Sequence, residues 1–189
     1  MTTLQIVEYG IILIVLVGWY LSYSAARLDR LHARVEGTVA ALDAQVVRRA
    51  EATLELVNSG VLDAATAIML ADAASASLAA AEDTDTASPA FPAERENVES
   101  ALSEALSMAL SADAVEILRD DAGYGSELLE RVQATGLRVQ LARRFHNEAV
   151  TDVCRMRRKA TVRLFRLAGY AELPRTVEFA DELAASFRA

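Results

Sequence analysis

The chain has 189 residues, a net charge of -8, 53% hydrophobic residues and only 6% aromatic ones. That length holds one membrane span and one compact domain, and the acidic balance argues against nucleic acid as the main partner. The lone Cys154 excludes an internal disulfide and a cysteine-built structural zinc site, and a single thiol suits a reducing compartment. Alanine dominates while Gly (8) and Pro (3) are scarce, a mixture that favours helix. No run of alternating β-branched and aromatic residues is bounded by turn residues, so no strand is predicted. The basic residues are 18 Arg and one Lys, which with the alanine excess reads as the codon bias of a GC-rich bacterial genome.

Residues 1–3 are predicted to be a short extracytoplasmic N-terminus, and residues 4–23 a transmembrane anchor. A helix of about 19 residues spans about 28 Å, close to the hydrocarbon thickness of a bilayer. No charge falls between Tyr9 and Tyr23. Tyr9 stands at one edge and Trp19, Tyr20 and Tyr23 at the other, the aromatic belts expected at two interfaces. Glu8 lies near the outer edge, where its carboxylate reaches water. Arg27, Arg30 and Arg34 follow the span, while Glu8 is the one charged side chain before it. The positive-inside rule then puts the N-terminus outside and the body in the cytoplasm, as a single-pass cell-membrane protein. A cleaved signal peptide is the alternative, with Ser22-Tyr23-Ser24-Ala25 as its site, but the basic n-region such a peptide needs is missing.

Residues 24–160 are predicted to be a helical-bundle domain. Leu28, Leu31, Val35, Val39, Leu42, Val46, Leu54 and Val57 mark one helix face, mostly in steps of three and four. Without Pro or a Gly cluster before Asn58-Ser59-Gly60, anchor and first body helix are predicted to be nearly continuous. Asp63 is placed to cap a second, alanine-rich helix through about Ala81. The stretch 82–93, with Pro, Ser, Thr and Asp, reads as a loop and a mobile, variable segment. A third helix is predicted over 93–110, with Val98, Leu102, Ala105, Leu106 and Ala109 inward. A short helix over 113–120 and a long one capped by Ser126 follow. In the long helix, Leu128, Val132, Thr135, Val139, Ala142, His146, Ala149, Val153 and Met156 keep a three-four rhythm. Together these predict an all-α chain: one N-terminal single transmembrane helix, then an antiparallel three- to four-helix bundle with coiled-coil-like packing. In the C-terminal segment 161–189, Pro174 is a break and a last short helix is expected near Glu178 to Phe187.

Charge is segregated along the chain. Residues 72–130 carry 14 acids against Arg95 and Arg119, whereas residues 138–166 carry nine bases against Glu148 and Asp152. Two readings are open for Arg155, Arg157, Arg158, Lys159, Arg163 and Arg166. They face the acidic stretch within the bundle, or they form a basic face on the anionic membrane surface.

Several stretches resemble the LemA family of bacterial membrane proteins: Leu28-Asp29-Arg30-Leu31, Leu42-Asp43, Arg48-Arg49, Arg95-Glu96-Asn97, and Leu164 to Tyr170 followed by Phe179. The most specific is 143–150, where Arg144, Phe145, Asn147, Ala149 and Val150 are similar to the family's Arg-x-Tyr-Asn-x-Ala-Val signature. His146 stands where Tyr is usual, and a second Tyr-Asn is replaced near Val153-Cys154, which makes this a divergent member. The resemblance, over roughly residues 5–182, implies a bundle behind one span, with no established enzymatic activity and no agreed molecular function.

No catalytic, cofactor or metal site is predicted. His146 has no ligand partner at i+3 or i+4, and Cys154 would need a base beside it to act as a nucleophile. Gly123-Tyr124-Gly125 lacks both a preceding strand and a further Gly. Asn147 is predicted to bond a neighbouring helix and fix register. The expected role is a membrane-tethered interaction or scaffold protein whose partners are the bilayer and another protein, with homo-oligomer formation a further expectation. A metal-binding or hydrolytic bundle core, and an exported domain after signal cleavage, are the alternatives.

Overall fold

Helix-forming residues run unbroken to Asn58, and in a computed structural model of the protein they form a single helix, α1 (Thr3–Asn58), of 56 residues. At 1.5 Å per residue it is about 84 Å long, enough to cross a bilayer and stand about 50 Å beyond it. Its end is local chemistry. Ser59 donates its hydroxyl to the Leu56 carbonyl at 2.6 Å, and Gly60 turns the chain at φ +75°, a conformation strained for any residue with a Cβ.

The structure describes residues 3–83, 91–120, 124–169 and 172–182. All regular structure among them is helical. After α1 come α2 (Ala64–Glu82), α3 (Ala93–Ala109), α4 (Ala112–Asp120), α5 (Tyr124–Arg157) and α6 (Ala160–Leu164). Asp63 caps α2 by accepting from the Ala65 and Thr66 amides, as its residue type and position predict. Ser126, by contrast, is no cap: α5 already runs from Tyr124, with Gly125 buried within it. The loop reading at 82–93 falls mostly on 84–90, outside the described residues, as does Gly123.

Helix α5 returns antiparallel along α1. Glu55 pairs with Arg131, Thr38 meets His146, and Arg34 pairs with Asp152, so each step back along α1 is a step forward along α5. Of the predicted α5 stripe, all residues are buried except the half-buried Ala142.

The core is layered along this axis. Farthest from the N-terminus of α1, Leu56, Leu70, Leu102, Val115, Leu118 and Leu128 form the widest layer, fed by α1 to α5. Leu42, Val46, Phe91, Val139, Val177 and Phe179 form the next. Val35 with Ala149, Val150 and Val153 follows, and Leu28 with Met156 and Val162 closes the stack. Each fully enclosed Leu contributes about 1.5–3 kcal/mol relative to exposure. The body therefore tapers toward the apolar N-terminal part of α1, ending in a two-helix seam backed by α6.

Two helices are long and apolar enough to cross a membrane: the N-terminal part of α1, with mean hydropathy 1.7, and α2, with 1.5. They differ in what surrounds them. From Ile11 to Val17 every side chain is aliphatic and exposed, a continuous apolar surface that a water-facing helix rarely carries. Helix α2 is tied into the bundle instead: Leu70, Ala74 and Ser77 are buried, and Ser77 donates to Glu99 at 2.7 Å.

Candidate functional site

Between α1, α2 and α3 lies a buried ionic network. The inward rhythm of α1 runs Leu42, Val46, then Arg49, Thr53 and Leu56, so the helix turns a charge inward at a stripe position. Arg49 donates to Glu99 Oε2 at 2.8 Å, to the Glu99 carbonyl at 3.1 Å and to Ser103 Oγ at 2.8 Å. Arg95, also enclosed, pairs with Asp43 and stacks on the Phe91 ring at 4.9 Å. Burial depresses the Arg49 pKa, and the adjacent Glu99 carboxylate opposes that shift. The apolar stripes predicted for these helices omit Arg49, Arg95 and Glu99. Their spacing holds the signal, because each falls three residues before or after a stripe position: Val46, Val98 and Leu102.

Residues of the 143–150 stretch build a second feature. Residues 172–182 are not helical; they lie extended, bridging α3 and α5, with Val177, Phe179 and Asp181 buried and Thr176, Glu178 and Ala180 exposed. That is the period of a strand, laid on helices. The helix predicted from Glu178 is therefore absent over 178–182, and the rest of that stretch lies outside the described residues.

Side chains meet the backbone groups that a lone extended segment leaves open. Asn147 accepts from the Val177 amide at 2.9 Å and donates to its carbonyl at 3.1 Å. Gln140 donates to the Asp181 carbonyl, and Ser100 accepts from the Ala180 amide. Arg143 grips the Asp181 carboxylate through Nε at 2.7 Å and Nη2 at 3.0 Å, a two-pronged pairing that fixes direction as well as position. Asn147 thus bonds the C-terminal strap and not a neighbouring helix. An amide presents a donor and an acceptor side by side, which matches the backbone of one extended residue.

His146 is enclosed beside the strap, with Nδ1 3.3 Å from Thr38 Oγ1 and Nε2 3.3 Å from the Arg175 carbonyl. A carbonyl only accepts, so the neutral ring carries its proton on Nε2. Burial pushes the imidazole below its usual 6.5, against the raising effect of the Arg175 carbonyl.

The remaining signature residues divide by face. Ala149 and Val150 are buried against Val35. Arg144 pairs with Glu148 at 3.2 Å, and Phe145 is exposed. With Leu137 and Leu141, Phe145 forms an outward apolar stripe at i, i+4 and i+8 on α5. Leu137 and Leu141 line an open groove with Arg144 and Glu148.

In the N-terminal part of α1, Tyr9, Trp19, Tyr20 and Tyr23 are exposed, and Trp19 stacks with Tyr23 at 6.2 Å. Arg27 and Arg30 are exposed just beyond, and Arg34 pairs with Asp152. The antiparallel return brings Arg155, Arg157, Arg158, Lys159, Arg163 and Arg166 toward this same end. Among the described residues, ion pairs from 138–166 run to Arg34, Glu178 and Asp181 or stay within the segment, and none reaches the acidic stretch 72–130.

Cys154 packs beside the Val35 layer. Among the described residues, no group of three or more His, Cys, Asp or Glu side chains is placed to hold a metal ion. What the arrangement can do is grip and dock: it has a helix surface that holds an extended segment, an open apolar stripe and a basic end. No family model, curated protein or solved structure matches this chain.

Proposed function

We propose that the protein is a single-pass, membrane-tethered helical scaffold of the LemA type, working through helix faces and without catalytic activity. The observation that carries this is α1: one unbroken helix whose N-terminal part is apolar and exposed while its remainder is packed into the body. Such a helix holds the body at the surface of the membrane its anchor crosses, with the N-terminus outside and the body in the cytoplasm. Tethering raises local concentration, so a modest docking face becomes effective. The Leu137, Leu141 and Phe145 stripe is the face best suited to a protein partner or a second copy, being apolar, exposed and flanked by Arg144 and Glu148.

A photo-crosslinking residue at Leu141 in the full chain, activated in intact cells, tests this. The expected outcome is a discrete protein adduct at Leu141 and none at Ile68, which is also exposed but lies on α2. Absence of any adduct from Leu137, Leu141 or Phe145 would count heavily against a scaffold role.

A further inference from the structure

We propose that α6 and its flanks form a second membrane contact, a basic foot with an apolar tip that docks on anionic headgroups of the bilayer α1 crosses. The inference rests on the tethered reading above and deepens it.

Position is the first ground. Val162 packs on Leu28 and Met156, and Ser24, one turn of α1 nearer the N-terminus, is also buried. Tyr20 to Leu28 is about 12 Å of helix. The foot therefore sits within about 12 Å of the aromatic residues that mark the inner interface.

Charge is the second. Arg158, Lys159, Arg163 and Arg166 are exposed and make no ion pair among the described residues, and the same holds for Arg27 and Arg30 on α1. Asp29 is the single acid between Tyr20 and Leu31, and none occurs between Met156 and Ala168. Bases gathered this way repel one another unless an anionic surface meets them. Each base within a Debye length of an anionic leaflet shifts the docked-to-undocked ratio about fivefold.

Shape is the third. Leu164 is 76% exposed and Phe165 48%, and they stand between Arg163 and Arg166. Arg166 takes φ +48°, an uncommon conformation for a residue with a Cβ. The reversal returns Leu167 to the Leu28 layer, with its amide 3.0 Å from the Val162 carbonyl. Leu164 and Phe165 are left projecting at the turn. Apolar side chains flanked by bases are the composition of an interfacial membrane contact.

Tryptophan fluorescence of the full chain, reconstituted in vesicles with bromine-labelled acyl chains, tests the foot. The vesicles are phosphatidylcholine alone or mixed with phosphatidylglycerol. Native Trp19 reports the anchor. In a Trp19→Phe background, Leu164→Trp reports the foot and Ile117→Trp the far end of the body. Trp19 should be quenched in both lipids, Leu164→Trp in the anionic lipid alone, and Ile117→Trp in neither. Adding Lys159→Gln, Arg163→Gln and Arg166→Gln should lower the docked-to-undocked ratio about a hundredfold and release the quenching. If Trp19 is quenched while Leu164→Trp is not, the foot is overturned and the tether stands. Equal quenching of Leu164→Trp in both lipids overturns the anionic basis, and quenching of Ile117→Trp overturns the placement. An unquenched Trp19 overturns the tether and the foot with it.

Discussion

Glu99 is fully enclosed, and its two carboxylate oxygens take Arg49 at 2.8 Å and Ser77 at 2.7 Å. Removing one partner of a buried ion pair leaves the other charge without water or counter-ion, so Glu99→Ala should destabilise the protein by about 3–5 kcal/mol. Replacing the pair together, as Arg49→Met with Glu99→Leu, should restore most of that stability, because the desolvation penalty goes with the charges. Urea unfolding of the full chain in detergent reads both. His146 adds a pH dependence. Its folded pKa lies below the usual 6.5, so the unfolded chain binds its proton more readily than the folded one. The stability due to the neutral ring is complete above the unfolded pKa and falls as pH drops from there toward the folded value. Between about pH 7 and pH 5 the wild type should therefore lose more stability than His146→Gln. Thermal melts across that range decide it, and parallel profiles would remove the histidine from the account.

The strap is held by α5 through few contacts, and these can be removed singly. Asn147→Ala deletes both bonds to Val177, about 1–3 kcal/mol of local stability if the groups stay buried. Hydrogen exchange should show lost protection at the Val177 and Ala180 amides with α1 and α5 unaffected; unchanged protection would mean the strap is held without the amide. The α5 stripe is legible in the sequence because a single apolar period runs its whole length, and burial follows it from Leu128 to Met156. The strap is not. Glu178 to Glu182 contains good helix formers, and local propensity there points to helix. It is extended because Asn147, Arg143 and Ser100, far away in sequence, offer its backbone and carboxylate better partners than another helical turn. Its alternation of buried Val177, Phe179 and Asp181 is too short to outweigh composition when read alone.

On the proposed tethered reading α1 is both anchor and axis, so the direction in which it crosses the membrane sets the orientation of the entire body. With Cys154→Ser as background, Thr3→Cys should label with an impermeant maleimide on intact cells. Ile117→Cys should label only after permeabilisation. The reverse pattern would invert the topology and put the body outside. Charge follows the same axis: bases gather at the tapered end by Leu28, while Glu116, Asp120 and Glu127 lie in the helices that build the widest layer.

Composition and a three-four period act within one stretch of chain, so the apolar N-terminal run, the continuity of α1 and the apolar faces of the long helices can be read without any tertiary contact. Other features exist only because distant stretches meet. Packing of α1 on α3 turns Arg49, Arg95 and Glu99 inward, and the return of the C-terminus gives Asn147 a strap to hold. The same return carries α6 back beside Leu28, where Val162 packs. No local period connects residues so far apart, and the burial of a charge depends on a partner that its own helix does not contain. The helix that carries the apolar run thus has α6 packed at Leu28, a neighbour supplied by the antiparallel register of α1 and α5.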